Sequence, residues 1–123
     1  MKLIAVSGIS SMKVVTKHLI WVLLAAAVWS AAQGKQTFTG TITDEECSTA
    51  YHGRMRMGPT DPECVLACVQ SHGARFVFYD GKDVFELSDQ DKPRAFAGQR
   101  VQVTGTLDSK TKMIQVDSIA AAR

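Results

Sequence analysis

Five short stretches in which apolar and polar residues alternate constrain the fold most, because a period of two is the pattern of a half-buried β-strand. In the first stretch, the alternation places Phe38 and Ile42 on one face and threonines on the other. In the second, Phe76 and Phe78 share a face in the same way. The five predicted strands span residues 36–43, 74–79, 83–87, 98–107 and 113–119.

Glycines and turn residues occur both within these stretches and between them. Gly40 and Gly105 lie inside strand patterns, where glycine marks a bulge or a sharp bend. Asp80-Gly81 is typical of a type I′ turn and predicts a hairpin between the second and third strands. A polar turn at residues 108–111 joins the last two strands.

Two helices are predicted between the strands. Asp61 as N-cap, Pro62 at the first helical position and Gly73 as the stop define the longer one, and residues 92–97 form the shorter one. This element order predicts a mainly β protein built on a small five-stranded OB-like barrel. A Cys-bearing helical insertion, Asp44 to Gly73, lies between strands 1 and 2, and the short helix lies between strands 3 and 4.

The N-terminal segment has the pattern of a secretory signal peptide. Lys13 and Lys17 precede an apolar run over residues 19–29, and Ser30-Ala31-Ala32 supplies the small residues of a cleavage site. The run of about eleven residues is short for a bilayer span, which needs roughly 20. We therefore expect cleavage after Ala32 and no stable membrane span afterwards, with an uncleaved anchor as the alternative.

Export sets the domain organisation and the redox compartment. We expect a signal peptide over 1–32 and a single OB-like domain over 33–123, located in the periplasm or secreted. Met12 opens a tidier signal than Met1, so residues 1–11 are a candidate mis-called start. Disulfides persist outside the cytoplasm, and small domains often need such a covalent link.

Charge and aromatic placement argue against a nucleic-acid partner. The formal net charge is +2, but after the three lysines that precede Gln33 the chain carries 11 Lys/Arg against 12 Asp/Glu. The alternation also sends the phenylalanines inward, so the outer face has few stacking platforms. GxSxG and HExxH motifs and phosphate-binding glycine loops are missing from the sequence, and we expect no catalytic activity.

All three cysteines, Cys47, Cys64 and Cys68, lie in the insertion. We expect a structural disulfide from Cys47 to either Cys64 or Cys68, because the longer loops gain most from closure. The alternative is a copper or zinc site with Cys47, His52, Cys64 and Cys68 as ligands, since thiolates and imidazoles suit these metals. A third alternative is thiol redox chemistry by whichever of Cys64 or Cys68 stays unbridged.

Other polar residues of the insertion have simpler interpretations. His52 lies in a turn, where an exposed side chain is ordinary. His72 ends the helix, where an imidazole interacts favourably with the dipole. We interpret Asp44-Glu45-Glu46 as a solvated charge run.

The chain also resembles a known family in its motifs. The pattern Thr39-Gly-Thr-Ile-Thr-Asp-Glu-Glu-Cys47, then Cys-x16-Cys-x3-Cys, then Phe96-Ala-Gly98-x-x-Val101-x-Val103-Thr-Gly105 is similar to an uncharacterised family of small exported bacterial proteins. The resemblance implies an OB-like core and supplies no catalytic residues. We therefore expect an exported, non-catalytic binding or structural module without a cofactor, whose partner is an unknown protein or small molecule.

Overall fold

The computed structural model describes residues 34–123. The predicted signal peptide lies outside the described residues, so its cleavage stays a prediction. A five-stranded sheet, one α-helix and one short 3₁₀ helix make up the described part. In chain order they are β1 (Gln36–Asp44), α1 (Asp61–His72), β2 (Phe76–Tyr79), β3 (Val84–Leu87), the 3₁₀ helix (Lys92–Phe96), β4 (Arg100–Asp108) and β5 (Met113–Ala121).

The strands pair in a closed circuit, in the order β1-β2-β3-β5-β4 and back to β1. Four pairings are antiparallel, and β3 pairs with β5 in parallel through Glu86 opposite Met113 and Leu87 opposite Ile114. The mainly β prediction is confirmed, with all five strands within a few residues of their expected bounds. Within residues 34–123, no helix combines the length and hydropathy needed to cross a membrane.

The inner face of the sheet carries the hydrophobic core. Ile42 on β1 pairs with Phe78 on β2, and Phe78 pairs with Phe85 on β3. Phe78 is fully buried, and its ring lies 6.3 Å from that of Phe85 between centroids. Val65 from α1 joins the same buried cluster, so the insertion helix packs onto the sheet.

Glycine permits close approach at two strand positions. A Cβ at Gly40 would lie 2.6 Å from Cζ of Phe78, so the ring occupies the space that a side chain would fill. A Cβ at Gly105 would lie 2.1 Å from the carbonyl oxygen of Gln115, beside a register shift between Thr104 and Gly105. The expected irregularity at Gly105 is confirmed.

Two local predictions are wrong in detail. The hairpin between β2 and β3 exists, but its loop has four residues, 80–83, and of these only Gly81 has a positive φ, 99°. A type I′ turn needs positive φ at both central residues; here the Asp80 carboxylate accepts the N–H groups of Lys82 and Asp83 instead. The N-cap of α1 is Thr60, one residue before the predicted Asp61, because Glu63 completes a capping box with it.

Candidate metal centre

Three buried side chains lie close together at the C-terminal end of β1, where the insertion begins. Asp44 is the last residue of β1, Cys47 follows in the next turn, and His52 lies five residues further on. One ligand atom from each lies within 4.8 Å of the others. Asp44 is 0% exposed, Cys47 6% and His52 4%. A carboxylate, a thiol and an imidazole thus converge in the protein interior.

Backbone contacts of the turn fix Asp44 and Cys47. Oδ1 of Asp44 accepts the N–H groups of Glu46 at 3.0 Å and Cys47 at 3.1 Å. The Thr43 hydroxyl donates to the Cys47 carbonyl at 2.7 Å, and the same carbonyl accepts the N–H of Ala50 at 2.8 Å. The chain itself therefore holds the carboxylate and the thiol in place, so their proximity does not need a ligand.

Two atoms of this group have no hydrogen-bond partner among residues 34–123, and both are buried. They are Oδ2 of Asp44 and Nδ1 of His52. The Cys68 thiol interacts with the Asp44 carboxylate, but no bond of regular hydrogen-bond geometry joins it to Oδ2. Leaving a buried polar group unpaired costs about 1–3 kcal/mol, and more when the group is charged. A bound ion is one of the explanations for such atoms in a folded protein.

Helix α1 brings the other two cysteines to the same place. Cys64 and Cys68 are one helical turn apart and both are fully buried. Cys64 lies beside the thiol of Cys47, and Cys68 lies beside the carboxylate of Asp44. The insertion therefore brings all three cysteines into the region of Asp44 and Cys47.

The segment before the helix wraps around Cys64. Its Sγ accepts the N–H of Met57 at 3.3 Å, and its thiol donates to the carbonyl of Met55 at 3.5 Å. The side chains of these two methionines are partly exposed, at 37% and 38%. It is the backbone of Met55 and Met57 that contacts Cys64.

Burial and negative charge keep two of the thiols protonated. Desolvation, and then the nearby Asp44 carboxylate, raise the pKa of Cys68 to about 12. The same two causes, followed by the Cys64 thiol, raise the pKa of Cys47 above its ordinary value. A raised pKa leaves only a small thiolate fraction at neutral pH, so nucleophilic reactions of Cys47 and Cys68 are slow in the metal-free protein. A cation bound in this group would lower the pKa of these thiols, because it stabilises the thiolate form.

Cys47 also borders a surface cleft. The cleft has a volume of about 460 Å³. Tyr51, 65% exposed, lies at this cleft, as do the exposed Arg54 and Glu46. Of the three cysteines, only Cys47 lines this cleft, and Cys64 and Cys68 are fully buried behind it.

The four metal ligands suggested by the sequence lie in one region. Cys47 and His52 belong to the central group, and Cys64 and Cys68 flank it. The prediction of an exposed His52 is wrong, because the loop folds back and buries the ring. His72 is exposed at the end of α1, as expected. All three cysteines are free thiols in this structure, and the expected disulfide stays a prediction.

Asp44 is the site residue that the sequence reasoning missed. Its interpretation as part of a solvated charge run is wrong, whereas Glu45 and Glu46 are indeed exposed. The alternation of buried and exposed residues along β1 already indicated that Asp44 is buried. Phe38, Gly40 and Ile42 point to the core, and the same period of two places residue 44 inside as well.

Comparison with known protein families finds a match in the C-terminal part of the chain. Residues 72–122 match a family described as a protein of unknown function (DUF5818). The matched segment runs from the last residue of α1 through β2, β3, β4 and β5. Neither a curated protein nor a solved structure shows significant similarity to the chain. The match therefore covers four of the five strands. It includes none of the residues of the candidate site, which are Asp44, Cys47, His52, Cys64 and Cys68.

Proposed function

We propose that this protein is a small exported module that binds one transition-metal ion, zinc, through Asp44, Cys47 and His52. The observation that carries the proposal is the convergence of these three buried ligand groups within 4.8 Å, two of them with an unpartnered polar atom. An ion bound by these side chains would supply a partner that Asp44 and His52 lack among the described residues. We propose no reaction at the site, and its role is to bind.

The mixture of donor atoms favours zinc. Zinc is borderline in softness and accepts carboxylate oxygen, imidazole nitrogen and thiolate sulfur, whereas copper(I) prefers soft sulfur ligands and is poorly matched to a carboxylate. In tetrahedral zinc sites neighbouring ligand atoms are about 3.3–3.8 Å apart. The three atoms, within 4.8 Å of one another, need only small side-chain rotations to reach that spacing.

A fourth ligand is available from α1. Cys68 interacts with the Asp44 carboxylate and Cys64 with the Cys47 thiol. Neither sulfur belongs to the group whose ligand atoms lie within 4.8 Å of one another, so a cysteine of α1 must move closer to become the fourth ligand. A structural zinc site has four protein ligands, whereas an open site keeps one position for water. We propose a closed site with a cysteine of α1 as the fourth ligand, which ties the insertion helix to the end of β1.

The arrangement of strands supports an OB-like barrel as the scaffold. The closed pairing order, the parallel contact of β3 with β5 and the short helix between β3 and β4 agree with that interpretation. The loop between strands 1 and 2 is one that OB folds use for binding. In this chain that loop carries the ligand groups.

Metal titration of the full chain tests the proposal. The reduced, metal-stripped protein is titrated with Co²⁺, whose thiolate charge-transfer absorption reports sulfur ligation, and Zn²⁺ is then added to displace it. We expect one ion per chain. Zinc at a free concentration 100 times its Kd should raise the free energy of unfolding by about 2.7 kcal/mol.

Two histidine variants provide a matched comparison. His52→Gln removes the buried imidazole and should abolish the cobalt spectrum. His72→Gln changes an exposed histidine outside the group and should leave the spectrum unchanged. The absence of sulfur-ligated cobalt in the reduced wild type, or binding that is insensitive to His52→Gln, would contradict the proposal.

A further inference from the structure

We propose that metal binding is controlled by oxidation, because a disulfide between Cys47 and Cys64 and a metal ion at the Asp44–Cys47–His52 group exclude each other. This inference rests on the proposed metal site. It adds that the protein holds its ion only in the reduced state and releases it when a disulfide-bearing oxidant is present.

Cys47 has two alternative partners in the structure. Its ligand atom lies within 4.8 Å of those of Asp44 and His52, and its thiol also lies beside that of Cys64. A sulfur atom in a disulfide has lost the negative charge that makes a thiolate a metal ligand. One sulfur therefore cannot serve the ion and the bridge at the same time.

The surroundings favour Cys64 over Cys68 as the partner in the bridge. The thiol of Cys47 adjoins that of Cys64, whereas Cys68 adjoins the Asp44 carboxylate. Cys64 is also contacted by the backbone of Met55 and Met57, in a segment whose side chains are largely exposed. Formation of the bridge has to break these two contacts of the Cys64 sulfur.

Access determines which cysteine reacts first. Cys47 is the cysteine that borders the cleft, while Cys64 and Cys68 are both 0% exposed. An oxidant in the cleft therefore meets Cys47 before the other two. The reaction begins at the same sulfur that the ion needs.

The exchange balances with a low-molecular-weight disulfide, RSSR, as the oxidant. The Cys47 thiolate attacks one sulfur of RSSR, which forms a mixed disulfide and expels RS⁻. The Cys64 sulfur then attacks the Cys47 sulfur, closing the protein bridge and expelling the second RS⁻. Two protein sulfurs are oxidised and RSSR is reduced to two RSH. One proton comes from the Cys64 thiol and one from solvent, and the metal ion leaves for solvent.

The loss of Cys47 should weaken metal binding strongly. Removal of a residue that only supports a ligand typically costs 10–100-fold in affinity. Loss of a ligand itself should therefore raise the Kd of the ion by at least about 100-fold. Asp44, His52 and at most the Cys68 thiolate remain as donors, one fewer than the four protein ligands of a closed zinc site.

The test compares reduced and oxidised full-length protein. One sample is kept reduced, a second is treated with oxidised glutathione, and a third is oxidised and then reduced again with dithiothreitol. Cobalt and zinc affinities are measured on all three after removal of the small thiols, and peptide mapping identifies the bridge. We expect tight binding in the first and third samples, a Kd at least 100-fold higher in the second, and a Cys47–Cys64 bridge.

Single cysteine variants check the assignment. Cys68→Ser should still form the bridge on oxidation, whereas Cys64→Ser should accumulate glutathione on Cys47 as a mixed disulfide. A bridge from Cys47 to Cys68 in the wild type would show that the assigned partner is wrong. Equal metal affinity in the reduced sample and in a fully bridged sample would refute the redox control while leaving the metal site standing. Failure of the reduced sample to bind any ion would instead refute the metal site.

Discussion

Phe78→Ala tests the assignment of the inner face of the sheet. Phe78 is fully buried, and its ring packs against Phe85 and over Gly40. The transfer free energy lost with the ring is about 2–3 kcal/mol. If about half of the roughly 100 Å³ removed remains open, the cavity adds about 1 kcal/mol at about 24 cal/mol per Å³. Because Gly40 has no side chain to fill the space, we expect a total loss of about 3–5 kcal/mol.

Urea unfolding followed by circular dichroism measures this loss. The control is Thr39→Ala on the outer face of β1, which is exposed and should change stability by less than about 1 kcal/mol. All samples are reduced and metal-free, so that neither a disulfide nor an ion contributes. If Phe78→Ala and Thr39→Ala unfold at the same urea concentration, the inward face has been assigned wrongly.

Three further outcomes are expected. Gly105→Ala should lower stability by at least about 2 kcal/mol, because its Cβ would lie 2.1 Å from the carbonyl oxygen of Gln115, whereas Gly34→Ala meets no atom within 4 Å and should be neutral in the same melts. Thr60→Ala should cost about 1 kcal/mol by removing the N-cap of α1. N-terminal sequencing of protein recovered after export should begin at Gln33, and an uncut chain in the membrane fraction would contradict the cleavage prediction.

The strand pattern could be predicted because it depends on local periodicity. Once one face of a strand is buried, a period of two determines which side chains enter the core, as for Phe76 and Phe78. The limits of α1 follow equally local rules. Thr60 and Asp61 are both good N-caps, and Glu63 decides between them by completing the capping box with Thr60.

The site could be predicted only in part, because its geometry depends on contacts between distant segments. No local pattern distinguishes the buried His52 from an ordinary turn histidine, since its burial depends on how the loop folds back. The relation of Cys47 to α1 is likewise non-local. Asp44 is different: the alternation already placed it inside, and the adjacent Glu45 and Glu46 obscured the signal.

The two carboxylate oxygens of Asp44 allow its structural and ligand roles to be separated. Oδ1 accepts the N–H groups of Glu46 and Cys47 and so shapes the turn. Oδ2 is buried without a partner among the described residues. An asparagine keeps an acceptor in the first position but replaces the second oxygen by an amide, which cannot ligate a metal. An alanine removes both oxygens.

We therefore expect Asp44→Asn and Asp44→Ala to differ in stability but not in metal binding. In metal-free, reduced protein, Asp44→Ala should lower the free energy of unfolding by about 2 kcal/mol, because it leaves the Glu46 N–H without its acceptor, while the Cys47 N–H keeps the Asp44 carbonyl at 3.2 Å. Asp44→Asn should cost less than about 1 kcal/mol, since its Oδ1 still accepts both N–H groups. Both variants should lose the cobalt spectrum. If Asp44→Asn destabilises the metal-free protein as much as Asp44→Ala, then Oδ2 itself stabilises the fold, and its unpartnered position no longer supports a metal site.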